Sequence, residues 1–174
     1  MKKLILTWVI SGMACLSVLA QGQETLKIAW PGEYKWKVLS NQKTAAANMI
    51  ELIPGAETVN NWSIMATMVS YKNMRVPTIS KVPQMMLAST HKNAPAAKLT
   101  VVESGVKAGR QWTIFKIESP SFKNSPKPES QLYYAIQGDK TLYVNFVAVK
   151  TNWIPTVFIF KWTNVFKESQ LVKQ

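Results

Sequence analysis

A single histidine, His91, and a single aspartate, Asp139, bound the chemistry open to this chain of 174 residues. A Ser-His-Asp nucleophilic set would need both. Asp139 follows Gly138 between two apolar runs, where aspartate serves a turn backbone, and His91 falls at the expected end of a helix, so each has an ordinary local role. The one cysteine, Cys15, lies inside an N-terminal apolar run. A zinc or iron site would have to be assembled from one histidine and carboxylates scattered singly along the chain, so no metal and no cofactor is expected. Paired carboxylates could hydrolyse a glycosidic bond, but Glu24, Glu33, Glu51, Glu57, Glu103, Glu118, Glu129 and Glu168 have no distinguishing neighbours. Ser80 and Lys81 are adjacent, and adjacent residues on a helix face different ways. The seven glycines fall singly at turns and form no phosphate loop. A cell-envelope hydrolase therefore ranks behind two binding functions.

Recognition has better material. Trp30-Pro31-Gly32-Glu33-Tyr34-Lys35-Trp36-Lys37 crowds three aromatics and two lysines around one turn, a composition suited to sugars, peptides or anionic ligands. Tyr133 and Tyr143, placed across a hairpin, add a second aromatic pair. The candidate recognition surface is thus Trp30, Tyr34, Lys35, Trp36, Lys37, Tyr133 and Tyr143. The competing reading makes Trp30 and Trp36 core residues of consecutive strands, and the tyrosines a sheet-stabilising pair.

The elements that must carry these residues follow from periodicity. Leu26–Trp30 and Tyr34–Leu39 read as strands about a Pro31-Gly32 turn, Ala45–Ile53 as a third, and Asn61–Tyr71 as a fourth with both faces apolar, hence covered on both sides. Ile79, Val82 and Met86 shift to helical spacing over Thr78–His91, with Pro83 tolerable in the first turn. Leu99–Glu103 and Gln111–Glu118 flank a loop at Gly105–Gly109, and Ser119–Ser130, with its three prolines, reads as an exposed excursion. Gln131–Ile136 and Thr141–Val149 form the clearest hairpin, about Gln137-Gly138-Asp139-Lys140. A final helix is predicted from Trp153 to about Leu171, its apolar side formed by Ile154, Phe158, Trp162, Val165 and Phe166.

These elements make an α+β domain, a mostly antiparallel β-sheet with helices packed on its faces. With Asn61-Trp62-Ser63-Ile64-Met65, Leu142-Tyr143-Val144-Asn145-Phe146 and the helix Trp153 to Phe166, the chain from about residue 25 to 172 resembles the PsbP-like fold, shared by extrinsic photosystem II subunits, a nuclear-transport Ran-binding protein and small secreted bacterial proteins. The resemblance implies an α/β/α sandwich and a binding module or accessory subunit rather than an enzyme. It carries no functional residue with it.

Lys2 and Lys3, the apolar run Leu4–Leu19 and Val18-Leu19-Ala20 before Gln21 have the form of a secretory signal peptide cleaved after Ala20. The expected mature domain, 21–174, then works in the periplasm or outside the cell, without cysteine or disulfide. Cleavage removes Lys2 and Lys3 and takes the formal charge from +12 to +10. The lysines are spread from Lys27 to Lys173 and the only arginines are Arg75 and Arg110, which argues against a nucleic-acid footprint and for attraction to an anionic envelope component. The leading expectation is a non-enzymatic protein that recognises a protein or envelope component. The alternative is a pocket for an apolar or amphipathic small molecule, with Met85, Met86, Phe158 and Trp162 as its lining.

Overall fold

The structure, a computed structural model, describes residues 24–173. The expected signal peptide, its cleavage after Ala20 and Cys15 lie outside the described residues. In chain order the elements are β1 (Glu24–Lys27), a 3-10 turn at Gly32–Tyr34, β2 (Lys37–Lys43), β3 (Ala47–Ile53), β4 (Ile64–Lys72), a 3-10 turn at Ile79–Lys81 and α1 (Val82–His91). There follow β5 (Lys98–Lys107), β6 (Arg110–Ser119), β7 (Glu129–Gln137), β8 (Thr141–Val149), α2 (Thr156–Glu168) and β9 (Gln170–Lys173). Seven strands form one antiparallel sheet in the order β2-β3-β4-β8-β7-β6-β5, and β1 pairs with β9 in a separate two-stranded ribbon. The α+β class and the mostly antiparallel sheet are therefore as expected.

Alternation assigns the side chains to two faces. Ile64 and Ala66 of β4, Ile114 of β6, Leu132 and Tyr134 of β7 and Val147 of β8 pack with Trp162 and Phe166 of α2. Their neighbours Phe115, Ile117, Tyr133, Ala135, Leu142 and Val144 pack with Ile79, Val82 and Met86 from the α1 region. A strand inside a sheet covered on both sides must be apolar at successive positions, which is why β6, β7 and β8 lack the polar alternation of a half-exposed strand. Among the described residues, α2 contributes side chains to the first of these clusters and the α1 region to the second. On the α2 face the cover is completed by chain-terminal segments, β1, the Trp30–Trp36 region and β9, instead of by further helix.

Three expectations are corrected by this arrangement. The final helix ends at Glu168, not near Leu171: Ser169 turns to extended backbone, its hydroxyl donates to Phe166 O at 2.6 Å, and Gln170–Lys173 becomes the strand that satisfies β1. Tyr34 lies in a 3-10 turn and the strand after it begins at Lys37. The presumed loop Gly105–Gly109 is mostly strand, with a tight turn at Ala108 and Gly109, both at positive φ, as two-residue hairpins require. Gly105 is a strand residue whose missing side chain makes room for the Trp112 ring, which a Cβ would meet at 2.7 Å.

Candidate functional site

A cleft of about 760 Å³ opens on the α2 face, beside the helix and under the N-terminal segment. Such a volume lies within the range of about 300–1,000 Å³ typical of small-molecule sites. Its floor is read directly from strand register. Ile50, Met68 and Asn145 form one row across β3, β4 and β8; Asn48, Ser70 and Tyr143 form the next; Lys72 and Thr141 close the series. Rows are two residues apart, roughly 6.7 Å at the usual strand rise. The wall is the segment Glu24–Ile28 with Trp30, and one end is closed by Asp139, Lys140 and Lys173.

The chain folds in this way locally because Glu24 is pinned at that end. Its Oε1 accepts from Asp139 N at 3.0 Å, its Oε2 lies 2.9 Å from Arg110 Nη2, and its carbonyl accepts from the Tyr143 hydroxyl at 2.7 Å. Arg110 also holds Asp139 at 2.7 Å, and Lys173 stands 3.4 Å from the other Asp139 oxygen. The hydrogen bond from Arg110 is the main reason that the Asp139 carboxyl is held below its ordinary value. Burial, with the nearby Glu24 charge, pushes the Tyr143 phenol above its own. Glycine at 138 leaves room for the Glu24 carboxylate, which a Cβ there would displace.

The opposite end is apolar and aromatic. Trp30 sits 6.0 Å from Trp36 and from Trp162 and 6.4 Å from Phe166, ring centre to ring centre. Tyr34 lies 4.8 Å from Trp36. Lys161 caps the cluster, with Nζ 4.8 Å from the centre of the Tyr34 ring and 2.7 Å from Glu33 Oε1. Trp30 Nε1 at the aromatic end, and Asn48 Oδ1 and Asn145 Nδ2 on the floor, are buried with no hydrogen-bond partner among the described residues. All three residues line the cleft. An unpaired buried polar group costs about 1–3 kcal/mol. Thr67, Tyr134, Trp162 and Thr163 also leave one in the packed core, and what distinguishes Trp30, Asn48 and Asn145 is that they border open space.

No family model matches the chain, and no curated protein matches it. Among solved structures it is similar to "Crystal structure of LpqN involved in cell envelope biogenesis of Mycobacterium tuberculosis", at 14% identity over 87% of this chain and 85% of that one, with a TM-score of 0.49.

The candidates read from sequence divide unequally about the cleft. Trp30 lines it; Tyr34 and Trp36 are half-buried in the aromatic cluster behind it; Lys35 and Lys37 are exposed and do not line it. The Trp36 indole donates to Pro31 O at 3.0 Å, which fixes the turn. Tyr133 and Tyr143 are not a pair. Tyr133 is opposite Phe146 and Tyr143 opposite Ile136, and the two rings lie buried on opposite faces of the sheet. Nor can Met85, Met86, Phe158 and Trp162 line one pocket, because Met86 belongs to the α1 face and Phe158 and Trp162 to the α2 face, where the core under the helix is filled. His91 and Asp139 are likewise separate: His91 Nε2 lies 2.9 Å from Ala97 O, while Asp139 is held by Arg110. Among the described residues no group of three His, Cys, Asp or Glu could hold a metal ion. No helix among them is long and apolar enough to cross a membrane.

Asn48, Met68, Ser70, Lys72, Lys140 and Asn145 were not singled out by sequence. Asn145 left a signal, as a polar residue within Leu142-Tyr143-Val144-Asn145-Phe146-Val147.

Proposed function

We propose that this protein is a non-enzymatic binding module that works outside the cytoplasm and holds a small amphipathic molecule of the cell envelope in the α2-face cleft. The observation that carries this reading is the coincidence of a cavity of about 760 Å³ with three buried, unpartnered polar groups in its lining. A ligand that is partly apolar would cover Ile50, Met68 and Trp30, and its polar atoms would supply what these groups lack. Export rests on the leader at residues 1–20, and the PsbP-like resemblance implies the same class of binding module.

The test is native mass spectrometry of the mature protein after incubation with a total lipid extract of the envelope. A small-molecule adduct is expected on the parent, and none on Ser70→Trp, which fills the middle of the floor. No adduct on a folded parent, or one that survives in Ser70→Trp, would overturn the reading.

A second reading, recognition of a protein or envelope surface, is favoured by one observation away from the Trp30–Lys37 turn. Val157 and Phe160 on the outer side of α2 are 77% and 70% exposed, and Trp153, in the bend just before the helix, is 59% exposed. Loss of partner capture in Phe160→Asp with adduct formation intact would assign function to that stripe.

A further inference from the structure

The cleft is polarised along its length, and this polarity names a ligand class if the cleft is the ligand site just proposed. Register sets the direction. From the row Ile50–Met68–Asn145 through Asn48–Ser70–Tyr143 to Lys72–Thr141, the floor passes from two apolar side chains beside one carboxamide, to neutral polar, to cationic. The wall is mixed: Trp30 belongs to the aromatic cluster and Glu24 is tied to the turn at Asp139, with Leu26, Ile28 and the exposed Lys27 between them. At the polar end stand Lys72, Lys140 and Lys173. The carboxylates there, Glu24 and Asp139, are both already bridged by Arg110, at 2.9 and 2.7 Å. Lys72 spends one donor on Thr44 O at 3.3 Å, Lys173 lies 3.4 Å from Asp139, and Lys140 makes no ion pair among the described residues. Two acids that share an arginine cannot also neutralise three lysines, so this end keeps an excess of positive charge.

We propose that the cleft takes a single-chain amphiphile with an anionic head, its chain against Trp30, Ile50 and Met68 and its head among Lys72, Lys140 and Lys173. The carboxamides of Asn145, beside Met68, and of Asn48, one row nearer the lysines, meet the atoms that join head to chain. The terminal torsion of asparagine is broad, so a small turn brings either amide to the ligand. A carboxylate or a phosphate head satisfies the same lysines, as ammonium groups act on either as point charges.

Three amphiphiles of equal chain length separate the possibilities: dodecanoate, dodecan-1-ol and dodecylammonium, each titrated into the mature protein by calorimetry below its aggregation concentration. Dodecanoate should bind about tenfold or more tighter than dodecan-1-ol, and dodecylammonium weakest, with the preference shrinking as salt is raised. Lys72→Gln/Lys140→Gln/Lys173→Gln should abolish the preference for dodecanoate while leaving dodecan-1-ol binding intact. Should that triple variant not fold, Lys140→Gln alone, in an exposed turn, should lower dodecanoate affinity a few-fold. Dodecyl phosphate in place of dodecanoate identifies which head is preferred, and weaker binding of both than of the alcohol would overturn the proposal. Equal affinity for dodecanoate and dodecan-1-ol, with both lost in Ser70→Trp, would overturn the anionic head and leave the cleft as the site. Binding of none of the amphiphiles, or binding that Ser70→Trp does not change, would overturn the cleft itself.

Discussion

The two faces of the central sheet solve the same burial problem in different ways. On the α1 face, Phe115 stacks on Tyr133 at 4.7 Å and Tyr133 meets Phe146 at 4.9 Å, a ladder across three strands closed by Ile79, Val82 and Met86. The α2 face is as well packed where Tyr134 stacks on Phe166 at 5.6 Å, yet one strand further along it opens into the cleft. Among the described residues Thr67 on the α1 face and Tyr134, Trp162 and Thr163 in the packed part of the α2 face each leave a buried polar atom unpartnered, whereas Asn48, Asn145 and Trp30 do so where the face opens into the cleft. Nothing in the register of β3, β4 and β8 demands polar residues there, because the same strands are apolar one row nearer α2, at Leu52, Ala66 and Val147. Local departure from a filled core, on a sheet otherwise built for one, is what separates a binding site from a packing face.

The largest expected effects come from the packed regions of both faces. Trp162 is fully buried against Trp30, Tyr34, Trp36, Phe158 and Phe166, so Trp162→Ala should cost about 3–5 kcal/mol in denaturant unfolding. Phe115→Ala, equally buried on the other face, should cost about as much. The two should differ in function: Phe115→Ala is expected to leave ligand affinity unchanged where the protein stays folded, because Phe115 packs in the α1-face cluster and does not line the cleft. Phe160→Ala, on the exposed side of α2, should stay within about 0.5 kcal/mol of the parent.

A middle-sized effect of opposite sign sharpens the contrast. Asn145 is 98% buried and its Nδ2 has no partner, so Asn145→Leu should remove an unpaired polar group and stabilise the unliganded protein by up to about 1–3 kcal/mol. The same change should weaken ligand binding. A destabilised Asn145→Leu in thermal unfolding would mean that the amide serves the fold.

The smallest effect is expected from the closed end. Asp139, held by Arg110, has a lowered pKa, so its contribution to stability is complete above the ordinary aspartate value near 3.8 and is lost as pH falls through the depressed value. Asp139→Asn should therefore lower the melting temperature slightly at pH 7 and flatten its decline in acid. Gly138→Ala should leave the hairpin folded but displace the Glu24 carboxylate, seen as loosened hydrogen-exchange protection of β1.

Much of the sheet was legible because burial on both faces leaves continuous apolar runs, as at Tyr133–Ile136 and Leu142–Val144, bounded by turn residues. Trp162 was legible from the helical spacing of Ile154, Phe158, Trp162 and Phe166, whereas for Trp36 the sequence left core and recognition surface both open. Register was not legible: with Gln137 opposite Leu142, Tyr133 meets Phe146, and a shift of pairing moves a side chain from one partner to another without altering the strand assignment. The cleft was hidden for a different reason. Its closed end joins Glu24 to Asp139 and Tyr143, more than a hundred residues along the chain, and sets Lys173 beside them. Gln170–Lys173 continues a helical pattern in sequence, and only pairing with β1 makes it a strand. Long-range closure of this kind leaves no local periodicity.

The central claim, that the ligand site is the α2-face cleft and not the outer stripe of α2, is tested most directly by NMR of the mature protein titrated with dodecanoate, following the tryptophan indole and asparagine side-chain resonances. The account predicts that the Trp30 indole and the Asn48 and Asn145 carboxamides shift together and saturably, while the Trp153 indole on the outer side does not move. Shifts confined to Trp153 and the neighbouring surface of α2, with Trp30, Asn48 and Asn145 unmoved, would contradict it.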